Sequence, residues 1–111
     1  MPGTGINDVE YLVLLAVARL DGDAYGVTIR DEIERRAARS VSVAAVYAAL
    51  ARLEERRLLA HHLGDPTPER GGRRKKVFRV TGPGGDALRA TRAGLARMWD
   101  GVELPDTRRS A

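Results

Sequence analysis

The chain contains no cysteine, so neither a disulfide framework nor a thiolate metal site is open to it. Aromatic residues make up only 5% of its 111 residues, which leaves aliphatic side chains to build any core. Long apolar runs are also missing. The longest, Tyr11 to Ala18, falls far short of the roughly 20 residues that span a bilayer. Asp8, Glu10 and Arg19 flank it and no basic segment precedes it, so a secretory signal is not expected either. These absences describe a soluble cytoplasmic protein with no membrane partner. Lysine occurs only at Lys75 and Lys76, yet the formal net charge is +4 and the sequence pI about 10.1. A positive balance carried by arginine favours a polyanionic partner.

The length fits one domain, or one domain with an appendage. Such a chain buries roughly 65% of its unfolded surface, workable for a monomer without much to spare. Asn7 or Asp8 can accept from the first free amides of a helix running to about Leu20. Val9, Val13, Ala16, Val17 and Leu20 share one face of that helix. Tyr11, Leu14, Leu15 and Ala18 leave almost no polar face opposite. A helix apolar all round needs cover on both sides, and one small domain supplies one, so a second protomer is expected on the other.

Asp21-Gly22-Asp23 is a turn. A second helix is predicted from about Ala24 to Arg39, with Ile29, Ile33 and Ala37 inward. Ser42 is placed to cap a third, in which Val43, Val46, Leu50, Leu53 and Arg57 recur at spacings of three and four. Its outer face carries Ser42, Ala44, Ala45, Ala48 and Arg52, with Tyr47 at the edge. Leu58 to Leu63 can form a strand, and 64–72 is too rich in Gly and Pro for anything but a loop. Lys76, Phe78 and Val80 alternate with Val77 and Arg79 as a return strand should. Two strands joined by a basic loop make a wing, and a bare helix followed by an arginine-rich hairpin is how a winged helix meets DNA.

Thr81 precedes a last helix, with Pro83 tolerated in its first turn and Asp86 suited to its dipole. Leu88, Thr91, Leu95, Met98 and Val102 fall at heptad a and d positions, with Trp99 beside the seam. Three repeats are too few for a coiled coil, and a helix packing on a partner is the better reading. The fold class expected is thus mainly α with a small β-hairpin. Residues 6–80 form a winged helix-turn-helix DNA-binding domain, 81–104 a C-terminal dimerisation helix, and 1–5 and 105–111 flexible termini.

Three motifs, in order and over about residues 10–102, make the chain similar to the PadR family of bacterial transcriptional regulators. They are Tyr25-Gly26 at the start of the second helix, the run Ser42 to Glu54, and the run Gly72 to Leu88 with Gly72, Arg73, Phe78, Thr81, Gly84 and Leu88 in place. The resemblance implies a winged helix-turn-helix homodimer that binds operator DNA and usually represses. A single short C-terminal helix looks like the compact subgroup, in which that helix and the first one form the dimer. Two departures stand out. The family's Gly-Thr in the third-helix motif is Ala44-Ala45 here, and the glycine that usually ends that helix is Arg57.

The DNA-binding residues expected are Tyr25, Ser42, Ala44, Ala45, Tyr47, Ala48 and Arg52, with Arg70, Arg73, Arg74, Lys75 and Lys76 on the wing. Small side chains let a helix sit deep in the major groove, where a methyl can touch a thymine methyl and Arg52 can take a guanine edge. Against this, alanines are simply good helix formers and Arg52 can pair with Glu55. Tyr47 is as well placed to anchor the helix to its own domain. The wing cations can contact phosphates or enter the minor groove, or merely protect a strand edge. The dimer interface expected comprises Tyr11, Leu14, Leu15, Ala18, Leu88, Leu95, Met98, Trp99 and Val102. Some compact relatives stack planar effectors on tryptophans of the last helix, a place held here by Leu95. A small aromatic effector would therefore meet Leu95 and Trp99, unless Trp99 serves the interface alone.

His61 and His62 adjoin on a strand, so they face opposite sides and do not readily share a metal ion. No nucleophile–base arrangement, phosphate loop or carboxylate cluster is evident, so neither an enzyme nor a cofactor is expected. The competing function is a winged helix that docks a protein through its wing and bare helix without sequence-specific DNA binding.

Overall fold

The structure, a computed structural model, describes residues 5–65 and 74–107. Its elements run α1 (Asp8–Leu20), α2 (Gly26–Ala37), α3 (Val43–Glu55), β1 (Leu59–Leu63), β2 (Lys76–Val80) and α4 (Gly82–Trp99). The mainly helical class with one hairpin is as expected. Both ends of α2 differ. Ala24 is buried and extended rather than helical, because its carbonyl accepts from the Phe78 amide at 2.8 Å and so adds to the free edge of β2. Ala37, expected inward, is exposed at the fraying last turn of α2.

Asn7 caps α1 through a capping box. Its side chain accepts from the Glu10 amide at 2.8 Å, and its own amide donates to Glu10 Oε1 at 2.9 Å. Helix α1 then runs through the middle of the fold, in contact with α2, α3, β2 and α4. Val13, Leu14, Ala16 and Val17 are all buried there, together with Ile29, Ile33, Val46, Leu50, Leu53, Leu59 and Phe78. The second protomer inferred for Leu14 is therefore not needed at that residue. Leu14 is fully buried within the chain. What remains uncovered on α1 is a narrower stripe, Leu15 and Ala18, with Tyr11 half-buried beside them.

Charges also tie the helices together. Glu32 of α2 is buried between Arg19 of α1, at 2.8 Å, and Arg35 and Arg36 of its own helix. The Arg19 hydrogen bond first, and then the Arg35 contact, hold its carboxyl below the usual range against the opposing effect of burial.

Helix α3 ends in a Schellman turn. The Leu58 amide reaches the Leu53 carbonyl and the Arg57 amide the Glu54 carbonyl, both at 2.9 Å, while Leu53 and Leu58 are buried together. Arg57 occupies the left-handed position of that turn, with φ 63°. Strands β1 and β2 pair antiparallel, with Leu59 opposite Val80 and His61 opposite Phe78. The alternation expected for β2 is broken, since Val77 and Phe78 are both buried: the core covers one face and the turn before α2 approaches the other.

Thr81 then starts α4. Its hydroxyl accepts from the Gly84 amide at 3.1 Å and donates to the Arg57 carbonyl at 2.7 Å. Gly84 lies so close to the Leu58 carbonyl oxygen that a Cβ there would overlap it. Beyond Thr91 the helix leaves the body, and Leu95, Met98 and Trp99 stand 47, 75 and 61% exposed. The radius of gyration is accordingly 16.7 Å, against about 13 Å for a compact chain of this length. Val102 falls past the end of α4, because the chain turns at Asp100-Gly101 and the Val102 amide bonds back to the Trp99 carbonyl. The fifth heptad position is therefore not a helical one.

Candidate nucleic-acid interface

Ser42 sets the start of α3 by accepting from the Ala45 amide at 3.0 Å. Val46, Ala49, Leu50 and Leu53 turn inward, which leaves Ala44, Ala48 and Ala51 as one exposed stripe at spacings of four and three. Ala45 is half-buried at the border of that stripe. The edges are closed by longer side chains on either side. Tyr47 leans over the start of α2, where its ring and hydroxyl fill the space a Cβ on Gly26 would need. It is at once the anchor and half-exposed surface, so Tyr25-Gly26 and Tyr47 form one packing unit.

Arg52 closes the other edge. Its Nε donates to Glu10 Oε2 at 2.8 Å across 42 residues of sequence, while the side chain stays 49% exposed. Glu10 thus caps α1 with one oxygen and holds α3 with the other. Burial alone would raise its pKa. The Arg52 hydrogen bond, the Asn7 amide and the charges of Arg52 and Arg56 outweigh that and keep it lowered. The Asn7-x-x-Glu10 spacing signalled the cap, but nothing local signalled the partner.

On the other side of Tyr47 the wing strand returns. Lys75 Nζ sits 4.2 Å from the centroid of the Tyr25 ring, a cation–π contact, and Arg74 Nε donates to the Gly64 carbonyl at 2.8 Å. Lys76 is exposed at the start of β2. Arg70 and Arg73, the other two cations expected on the wing, lie outside the described residues. Between α3 and the wing opens a concavity of about 600 Å³ with Leu50 and Phe78 at its floor and Tyr25, Tyr47, Arg74, Lys75 and Lys76 around it. The structure thus brings together Tyr25, Tyr47, Arg74, Lys75 and Lys76 beside the alanine stripe, with Arg52 tied to Glu10 at its other edge.

His61 packs its ring 5.6 Å from Phe78 and bonds Glu54 of α3, a structural task, whereas His62 points to the opposite face. Among the described residues no cluster of three or more metal-ligating side chains occurs. Among them, too, no helix is long and apolar enough to cross a membrane.

Of the residues expected at a protomer interface, Leu15, Ala18, Leu95, Met98, Trp99 and Val102 are exposed. Tyr11 is half-buried, Leu88 is half-buried against the chain's own core, and Leu14 lies inside that core.

Residues 14–90 match the family model described as the transcriptional regulator PadR-like family. Among solved structures, a PadR family transcription regulator from Clostridium difficile is 21% identical with TM-score 0.67, over 83% of this chain and 91% of that one. A PadR-like transcription factor from Bacteroides fragilis is 23% identical with TM-score 0.67, over 81% of this chain and 82% of that one. A PadR family transcriptional regulator from Eggerthella lenta is 27% identical with TM-score 0.65, over 81% and 76%. No curated protein matches the chain.

Proposed function

This chain belongs to the PadR-like family of transcriptional regulators, and on that premise we propose that it binds operator DNA as a homodimer and represses by occupying its site. The single observation that carries the reading is the pairing of a bare stripe on α3 with a cationic edge on the wing. Ala44 and Ala48 would let the helix approach the floor of a major groove, while the exposed Arg74, Lys75 and Lys76 would meet the flanking phosphates. Tyr25 and Tyr47 would offer hydroxyls to the same backbone, and Ser42, whose oxygen is committed to the Ala45 amide, still has a proton to donate.

The dimer would form through the two apolar surfaces that the protomer leaves open, Leu15 and Ala18 on α1 and Leu95, Met98 and Trp99 on α4. Two recognition helices would then sit in successive major grooves, roughly 34 Å apart. A planar aromatic effector held at Leu95 and Trp99 would alter that spacing, and so the affinity for DNA.

The test is a titration of the pure protein against DNA from upstream of its own gene, beside a scrambled duplex, at two salt concentrations. Binding confined to the upstream duplex and surviving the higher salt is expected. Equal binding of both duplexes, lost with salt, would put the operator elsewhere. No binding at low salt would turn the same face into a docking surface for protein. Replacing Arg74 and Lys76 by Ala should lower the salt slope by about one unit for each phosphate that is no longer neutralised.

A further inference from the structure

The cavity between α3 and the wing has a chemistry that DNA alone does not account for. Its floor is apolar, made by Leu50 and Phe78, and the exposed side chains of Val27 and Tyr47 stand on its walls. At about 600 Å³ it lies within the range of small-molecule sites, roughly 300–1,000 Å³. Its rim is cationic. Arg74, Lys75 and Lys76 are exposed there, and Lys75 Nζ sits 4.2 Å from the Tyr25 ring centroid. Among the described residues no carboxylate pairs with any of the three. Glu54, the one carboxylate on the described lining, has its Oε2 paired with His61 Nδ1. A sugar–phosphate strand passing the rim would meet those cations. It is hydrated and polar, however, and gains nothing from an apolar floor.

We propose that this cavity binds a monocarboxylate with an apolar body, and that this ligand and DNA exclude one another. The body lies against Val27, Leu50 and Phe78, where burial of its carbons is favourable. The carboxylate meets Lys75 and Lys76 at the rim, in charge-assisted contacts. A neutral molecule leaves those charges unanswered, and a cation is repelled by them. Once bound, the ligand neutralises cations that flanking phosphates need and fills the gap between the two elements that grip the duplex. The exclusion rests on the DNA-binding reading above, whereas the site itself does not. This site also differs from the effector place at Leu95 and Trp99, which acts on the spacing of two protomers. Here one protomer's own contact face is blocked.

The experiment adds naphthoate, and in a second arm octanoate, to the isotope-labelled full chain and follows its backbone amide resonances. Naphthamide is the matched neutral probe. Shifts should centre on Gly26, Val27, Ala51, Lys75 and Lys76 with at least one of the two carboxylates, and the better of them shows whether the body is flat or a chain. Naphthamide should bind about tenfold more weakly than naphthoate, the factor to which one lost charge-assisted contact converts. Val27→Glu changes an exposed position and sets an anion beside the floor. It should weaken carboxylate binding by at least the same factor, with the melting temperature little altered. Added to the parent with its upstream duplex, the carboxylate should release the DNA in proportion to its occupancy.

Shifts confined to the region of Leu95 and Trp99, or none with either carboxylate at millimolar concentration, would overturn the proposal and leave operator binding intact. Equal binding of naphthoate and naphthamide would count against it as well, because the rim would then play no part. A loaded protein that holds the upstream duplex as tightly as the free protein would refute the exclusion. Failure of the free protein to retain DNA at low salt would sink the DNA-binding reading and the exclusion with it, while the amide shifts still decide the site.

Discussion

From Asp8 to Val80 most large apolar side chains find cover within the chain, whereas over the last two turns of α4 Leu95, Met98 and Trp99 stay about half to three-quarters exposed. The same contrast holds for charge. In the body, Glu10 and Glu32 are buried with arginine partners, while Asp86 and Arg89 near the start of α4 pair on the open surface. The two regions are joined through Thr81 and Gly84 at the end of α3 and β1. A region that closes its own core and a helix that does not, joined so tightly, imply that the helix is shaped for something outside the chain. The body's surface instead carries the features suited to DNA.

The largest effect should come from charging the open helix. Leu95→Glu together with Trp99→Glu puts two anions into the apolar face, and truncating or charging such central residues costs about 2 kcal/mol or more each. Sedimentation equilibrium should then show self-association weakened by roughly a thousandfold, with the melting of the body little changed. A double variant that still associates like the parent would remove α4 from the dimer and erase the contrast.

Gly84→Ala attacks the joint. The added Cβ meets the Leu58 carbonyl oxygen, which is backbone at the start of the hairpin and cannot swing away. Overpacking of this kind costs about 3 kcal/mol, read as a lower urea midpoint. Gly26→Ala makes a useful contrast, because there the added atom meets the end of the half-exposed Tyr47 side chain, which can move, so the loss should be smaller.

Arg52→Ala tests whether this arginine serves the body or the DNA. It leaves the Glu10 carboxylate buried with one oxygen unpartnered, a loss of about 1–2 kcal/mol after allowing for the half-exposed guanidinium. Base preference on DNA should stay as it was. The pH dependence follows from the lowered Glu10 pKa. A carboxyl whose folded value lies below its unfolded one stabilises fully above the unfolded value, here 4.5. It loses that contribution as the pH falls through the folded value. Glu10→Gln should therefore flatten the decline in stability below about pH 4.5, where the parent keeps falling.

Sequence periodicity and turn chemistry made the four helices, the hairpin and the Ser42 and Thr81 caps legible, because each depends on residues within a turn or two. What escaped was set by partners far away. Leu14 reads as surplus on a helix apolar all round until the packed fold buries it completely. The Glu10 partner of Arg52 lies 42 residues earlier, beyond the reach of any local pattern. The alanine stripe and the wing cations could be read from local composition, whereas Tyr25 entered only through the family resemblance. Their closeness in space could not be read, because it depends on Tyr47 seating on Gly26 and Lys75 stacking on Tyr25.

Arg57 carries the smallest and sharpest prediction. It occupies the left-handed position of the turn that ends α3, at φ 63°, where relatives usually carry glycine and where an L side chain costs roughly 1–2 kcal/mol. The turn itself is well made, with both its hydrogen bonds at 2.9 Å and Leu53 and Leu58 buried together, so the strain stays local and is not relieved by distortion. The Arg57 carbonyl also receives the Thr81 hydroxyl, a backbone contact that any residue keeps. Arg57→Gly should thus leave the junction with α4 intact and raise stability, by about 1 kcal/mol once the greater freedom of glycine in the unfolded chain is subtracted. A higher urea midpoint with unchanged slope is the expected reading. A drop would mean that the arginine side chain holds the body to α4 by a contact worth more than the strain, and the two regions would then be joined by charge as well as by Gly84 packing.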